Sequence, residues 1–216
     1  MIVDTLGIKK MQTTNRLRSE RPRKKYDFYE TPIELCRASL ERFQMDERPE
    51  MYTVLDVGAG NGVWGEAFAE TIHWSEKICL GGVEIDSSLV DENYDFWYSL
   101  DYLNFGFDGD GFSLIFGNPP YSLAEEFVRH SLELCSDGGY VFFLLRLAFL
   151  ESKKRHFGLF TEMHPKKVYV LSRRPSFFTT KDGSKTVDAL AYAMFLWQKG
   201  YEGKPELDWL YWEYDK

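Results

Sequence analysis

Cysteine is scarce: Cys36, Cys79 and Cys135 are the only three in 216 residues, far apart and without a CxxC pairing. That spacing argues against a disulfide framework or a cysteine-ligated zinc site and leaves three reduced, buried fillers. Metal ligation finds no support from histidine either, because His73, His130, His156 and His164 fall at no ligand spacing. Long apolar runs are also missing. The longest, Tyr140 to Leu150, is broken by Arg146 and falls well short of the roughly 18 residues of a membrane-spanning helix. Residues 1–10 lack a signal-peptide core and cleavage site, so the expected location is the cytoplasm. No internal repeat or low-complexity tract interrupts the chain.

What is present is the composition of a soluble globular protein, 44% hydrophobic and 28% charged, with 17% aromatic residues. The length suits one domain. The net charge of −8 is unevenly spread. Residues 1–25 hold eight basic side chains against two acidic, residues 26–145 five against 23, and residues 146–185 ten against three. Two basic segments thus flank an acidic body. The pattern suits one positive face for a polyanion, and equally a basic arm with solvated helix faces.

Residues 1–25 have no hydrophobic period and are expected to be a flexible basic arm, with residues 26–216 forming the single domain. Thr31, Pro32 and Glu34 read as the N-cap, first position and capping-box partner of a helix carrying Ile33, Leu35, Cys36 and Leu40. Met51 to Val57 reads as a buried strand leading into a glycine turn, and Gly65 to Ile72 as the helix after it. Ile78 to Ile85 and Phe112 to Phe116 are expected as the second and third strands, followed by a helix over Leu123 to Leu134 and an apolar strand over Gly139 to Leu145. Lys167 to Leu171 and Ala189 to Trp197 read as two more strands joined by a basic loop. Apolar strands alternating with helices predict a Rossmann-like, doubly wound, mainly parallel α/β sheet with an antiparallel C-terminal hairpin strand. Ligands of such sheets bind beyond the carboxyl ends of the strands, at the topological switch point.

The glycine turn is Asp56-Val57-Gly58-Ala59-Gly60-Asn61-Gly62. Gly60, Gly62 and Gly65 spell the dinucleotide fingerprint, with Glu84 some twenty residues on. However, Asp56 would set a negative charge beside a pyrophosphate. A cationic ligand fits better, and S-adenosylmethionine carries an ammonium and a sulfonium. Glu84, with Asp86 as the weaker alternative, can accept from both ribose hydroxyls, and Asp101 can accept from the adenine amino group.

The most distinctive motif is Asn118-Pro119-Pro120-Tyr121, directly after a strand. Two prolines fix φ and remove two donors, leaving carbonyls free to accept. The Asn118 side-chain oxygen and the Pro119 carbonyl can grip both hydrogens of a planar exocyclic amino group, while Tyr121 offers a flat face to its ring. With Phe28-Tyr29-Glu30-Thr31-Pro32, the glycine turn, Gly82-Val83-Glu84-Ile85-Asp86 and Asp101, the chain resembles the S-adenosylmethionine-dependent DNA N6-adenine methyltransferases, small phage-type forms included. The resemblance covers residues 26 to about 197.

It implies that Tyr29, Thr31 and Pro32 line the methionine end of the cofactor and that Asp56, Gly58 and Gly60 cradle it. Glu84 would bind its ribose and Asp101 its adenine. Asn118, Pro119, Pro120 and Tyr121 would form the catalytic turn holding an adenine of DNA, and Phe177 or Phe178 would press on the far face of the flipped base. Larger members carry a separate target-recognition domain, whereas here nineteen residues follow Trp197. The basic stretches Glu151 to Lys167, with Lys153, Lys154 and Arg155, and Ser172 to Thr186 are the expected phosphate contacts, which implies weak or absent site specificity. The same amino-group chemistry serves RNA or a protein glutamine, and a non-catalytic nucleic-acid-binding partner subunit is the reading from another class.

Overall fold

The computed structural model describes residues 30–47, 50, 52–72, 78–89, 93–179, 185–187 and 189–214. The expected arm over residues 1–25, and Tyr29, lie outside the described residues. In chain order the elements are α1 (Ile33–Glu47), β1 (Thr53–Val57), α2 (Val63–Thr71), β2 (Cys79–Glu84), β3 (Phe96–Ser99) and β4 (Phe112–Gly117). Then come α3 (Ala124–Leu134), β5 (Cys135–Arg146), the short helices α4 (Lys153–Phe157) and α5 (Leu159–Glu162), β6 (Lys167–Leu171), β7 (Phe178–Thr179), β8 (Lys185–Thr186), β9 (Tyr192–Gln198) and β10 (Glu206–Leu210).

Eight strands form one sheet in the order β10-β6-β9-β5-β4-β1-β2-β3, and β7 and β8 form a separate ribbon. From β3 to β5 all neighbours are parallel, while β9 runs antiparallel between β5 and β6. Strand order reverses between β1 and β4, which places the switch point there. Since β9 opposes both its neighbours, β5 and β6 run the same way as β1, so the carboxyl ends of β1 to β6 share one edge of the sheet.

Period-two alternation explains why the strands are apolar throughout. Along β5, Tyr140, Phe142 and Leu144 join the core on one face, while Val141, Phe143 and Leu145 join the core on the other. The first core lies under α1 and α2, where Phe43 stacks on Phe142 at 5.4 Å. The second lies under α3, whose Ala124, Phe127, Val128, Ser131 and Leu132 recur at the spacing of one helical face. An ion network fastens α1 to the far end of the sheet: Arg42 pairs with Asp46 and Asp208, and Lys167 and Tyr169 both reach Asp46.

Three expectations are corrected. The helix expected from Pro32, capped by Thr31, begins one residue later, at Ile33, and the Pro32 carbonyl accepts its first amides, from Leu35 and Cys36. Thr31 is therefore not its cap. The strand at Phe112 is the fourth, because β3 precedes it at the sheet edge with two of its four residues exposed. A tenth strand, β10, pairs with β6 in parallel beyond the expected hairpin. Among the described residues, no helix is long and apolar enough to cross a membrane.

Candidate functional site

At the end of β1 the chain turns back on itself through Gly58, Gly60 and Gly62, with φ of 65°, 59° and 83°. Side chains rarely adopt this left-handed region, so the turn requires glycine. Its geometry is set by β2. The Gly58 and Ala59 amides both donate to the Val83 carbonyl, and the Gly60 amide donates to Glu84 Oε2 at 2.9 Å. The other Glu84 oxygen accepts from the Asp86 amide, also at 2.9 Å. Glu84 is only 6% exposed, yet its carboxylate, with about four lone-pair sites, has two taken by these amides. Asp56 is fully buried and accepts from Tyr94 Oη at 2.6 Å. The same hydroxyl accepts from the Gly65 amide, tying the start of α2 to the end of β1.

β4 ends at Gly117, whose φ of +146° and close approach to the Val57 carbonyl, 2.6 Å from where a Cβ would sit, exclude a side chain. This turn delivers Asn118 to the switch point, where its carbonyl lies 4.0 Å from the position of a Cβ on Gly58. Asn118 Nδ2 donates to Thr31 Oγ1 at 3.1 Å, and Trp64 Nε1 donates to the same oxygen at 3.3 Å. Thr31 is thus a buried bridge between the catalytic-turn candidate and α2. With its nitrogen held there, the Asn118 amide oxygen is turned away from Thr31. Pro119 is buried, and the Pro120 carbonyl accepts from the Leu123 amide to start a short turn toward α3.

Tyr121 sits in an aromatic and cationic cluster. The Arg146 guanidinium lies over its ring at 4.6 Å, and Tyr192 packs against it at 5.6 Å. Burial, reinforced by Tyr192, holds the Tyr121 phenol well above its ordinary pKa, so it stays protonated at neutral pH. Phe177 meets Tyr192 edge to face at 5.1 Å.

The edge therefore brings together Thr31, Pro32, Asp56, Gly58, Gly60, Glu84, Asn118, Pro119, Pro120 and Tyr121. Asp101 follows β3 on the same edge, where one of its oxygens accepts from the Leu103 amide. The remaining expected residues take other places. Phe177 is buried in the core and packs against Tyr192, which in turn packs on Tyr121; the Phe178 side chain lies outside the described residues. Arg155 is spent on the protein itself: its guanidinium donates to the carbonyls of Ala148, Phe149 and Glu151, capping the turn before α4. Lys154 is exposed and reaches Glu125 at 3.7 Å, and Lys153 is exposed.

Sequence reasoning missed Tyr94, Gly117 and Arg146. Gly117 had a visible signal, a glycine between an apolar strand and a rigid turn. Tyr94 and Arg146 had none, since their roles arise from strand order. Charge divides along the edge: Asp56, Glu84, Asp86 and Asp101 lie at or just after the ends of β1 to β3, whereas Arg146, Arg173 and Arg174 end or follow β5 and β6. Among the described residues, no group of His, Cys, Asp and Glu could hold a metal ion.

No family model matches the chain, and no curated protein matches it in sequence. Solved structures match in fold. A Listeria monocytogenes protein assigned as a class I S-adenosylmethionine-dependent methyltransferase superposes with a TM-score of 0.61 at 14% identity, over 84% of this chain and 64% of that one. The methyltransferase subunit of a type I restriction-modification system from Streptococcus thermophilus gives 0.61 at 15% identity, over 81% of this chain and 45% of that one. The plantazolicin methyltransferase BpumL, solved with S-adenosylhomocysteine, gives 0.53 at 13% identity, over 80% and 87%. The chain spans less than two thirds of the first two. At these identities the likeness is one of fold, and the sheet described above is the Rossmann-like class I methyltransferase fold.

Proposed function

We propose that the protein transfers a methyl group from S-adenosylmethionine to the exocyclic N6 amino group of adenine in DNA. The observation that carries the proposal is the placement of Asn118-Pro119-Pro120-Tyr121 at the carboxyl end of β4, against the glycine turn at the switch point. The similar folds of S-adenosylmethionine-dependent enzymes support the cofactor, and the restriction-modification neighbour supports DNA as the acceptor.

The residues at the turn fit this cofactor. Gly58 and Gly60, both at positive φ, keep the turn free of side chains, and the Glu84 carboxylate keeps lone pairs for a ribose diol after its two amide bonds. Asp56 would supply buried negative charge for an ammonium group, and Asp101, which follows β3 on the same edge, would accept from the adenine amine. When bound, the cofactor supplies an electrophilic methyl group on a sulfonium centre.

The protein's own residues do the rest by positioning. Thr31 fixes the Asn118 amide by accepting from Nδ2, so that the side-chain oxygen and the Pro119 carbonyl can accept the two N6 hydrogens. Two acceptors so placed would favour a pyramidal nitrogen with its lone pair available for the methyl group; the sulfonium would leave as a neutral thioether, and the methylated nitrogen would shed one of its hydrogens as a proton to solvent. Tyr121 backs the base ring, and its protonated phenol adds no charge to the apolar side. No protein nucleophile is required.

Nucleoside mass spectrometry on DNA and RNA, incubated separately with the protein and methyl-labelled S-adenosylmethionine, tests this reading. Label is expected in N6-methyladenine from DNA. Label confined to RNA would move the acceptor, and no label in either despite intact cofactor binding would favour a protein glutamine or a non-catalytic partner subunit.

A further inference from the structure

Arg146 is the last residue of β5 and faces Tyr192 in the register with β9. Its Nε is shielded from water without a hydrogen-bond partner, and among the described residues its guanidinium makes no hydrogen bond or ion pair. Other arginines of the fold behave differently: Arg155 donates to three carbonyls, Arg129 to Glu162 and Arg42 to Asp46 and Asp208. What holds Arg146 is the face of Tyr121, 4.6 Å away. A cation drawn partly out of water without a partner opposes folding. The fold thus presents a planar fork of donors, stiffened by an aromatic ring, that its own residues do not fill.

That fork matches a tetrahedral or planar oxyanion. It lies on the basic half of the carboxyl edge, with Arg173 and Arg174 beyond it, and away from the acidic half at β1 to β3. A base turned out of a strand brings its flanking phosphodiester with it. Resting on the function proposed above, we infer that Arg146 grips the phosphodiester beside the target base while Tyr121 backs that base. Arg146 and Tyr121 then act as one unit that recognises the acceptor as a nucleotide within a strand. A free amine or an amide side chain offers the fork no anion.

The test uses the full-length protein and an oligonucleotide with one target adenine, in the context and sugar type where label is found. Each phosphate flanking that adenine is replaced in turn by an uncharged methylphosphonate. For the wild type, one replacement is expected to lower kcat/KM about tenfold, the scale of one charge-assisted hydrogen bond. Arg146→Gln is expected to lower kcat/KM on the unmodified strand by a similar factor, and to lose less than about twofold more on the methylphosphonate. Arg146→Lys, which keeps the charge but not the fork, should fall between them. Melting temperature and cofactor affinity of both variants, expected near wild type, check that the fold survives. Independent, multiplicative losses would overturn the inference, as would Arg146→Gln at wild-type activity. A wild type that methylates neither DNA nor RNA would overturn the underlying reading as well, and that failure shows without any variant.

Discussion

Replacing Glu84 with Gln keeps the shape of the side chain but exchanges one acceptor oxygen for an NH2 group. In the structure both carboxylate oxygens are in use, one by the Gly60 amide and one by the Asp86 amide. Whichever way the new amide turns, a donor meets a donor, and one backbone N–H loses its partner. A hydrogen bond to a charged acceptor contributes about 1.5–3 kcal/mol, and the lower part of that range is appropriate where a neutral acceptor still serves the second amide. A loss of about 2 kcal/mol lowers the melting temperature by roughly 4–8 °C in a domain of this size. Because the same atoms shape the glycine turn and face the proposed ribose, cofactor affinity should fall too, by about 30-fold for about 2 kcal/mol. Thermal denaturation of the cofactor-free protein and calorimetric titration with S-adenosylmethionine read the two effects separately. Wild-type melting would refute the bridging role of the carboxylate. A wild-type dissociation constant with lowered melting would confine Glu84 to holding the turn and remove it from the cofactor site.

The other predictions concern the opposite wall of the site and the buried thiols. Asn118→Ala and Tyr121→Ala should each reduce methyl transfer by at least about 100-fold while leaving cofactor affinity within about threefold, as expected for residues that position only the acceptor; loss of cofactor binding in either would contradict the assignment. Gly117→Ala forces a Cβ against the Val57 carbonyl at φ +146°, and should cost about 2–3 kcal/mol, measured as a lowered urea midpoint. An unchanged midpoint would show that the strand end relaxes freely. Burial pushes the Cys135 thiol up to about 12, and burial followed by the charge of Asp56 pushes Cys36 up as well. Unfolded thiols ionise first, near their ordinary pKa, so above it the folded state binds more protons. Stability should then decline between about pH 9 and 12, by up to about 1.4 kcal/mol per pH unit for each thiol. Urea titrations at pH 8 and 10 should show a smaller decline for Cys135→Ala than for the wild type; identical declines would exclude Cys135 as a contributor.

The parts of the site legible in the sequence were those whose chemistry is local. A turn of three left-handed glycines and a double-proline turn impose their conformations within a few residues, and both were visible as patterns. Glu84 was legible because it ends an apolar strand at the spacing of a known fingerprint. Its amide bridge to Gly60 was not, since that depends on β2 lying beside β1. Thr31 read as a helix cap because its neighbours fit a capping box; the competing partners, Trp64 and Asn118, are 33 and 87 residues away in the chain. Arg146 looked like an interruption of an apolar strand; it is the last residue of that strand and lies over the Tyr121 ring. β3 and β10 escaped detection because sheet edges are half solvated: β3 is four residues long, three aromatic and one serine, and β10 mixes acidic with apolar residues, so neither shows the apolar run that marked the inner strands.

β9 carries a consequence for how the chain assembles. It is buried along six of its seven residues and is hydrogen-bonded on one side to β5 and on the other to β6, both of which precede it. As the polypeptide emerges in order, β5 and β6 are complete before the strand that joins them. Until Tyr192 to Gln198 arrives, each has an open edge lined with unpaired amides and carbonyls, a template for pairing with another chain. Closing that gap joins segments far apart in sequence, which favours slow formation and a lifetime for the open intermediate. The same seven residues that complete the sheet thus set the interval during which the protein is most prone to aggregate.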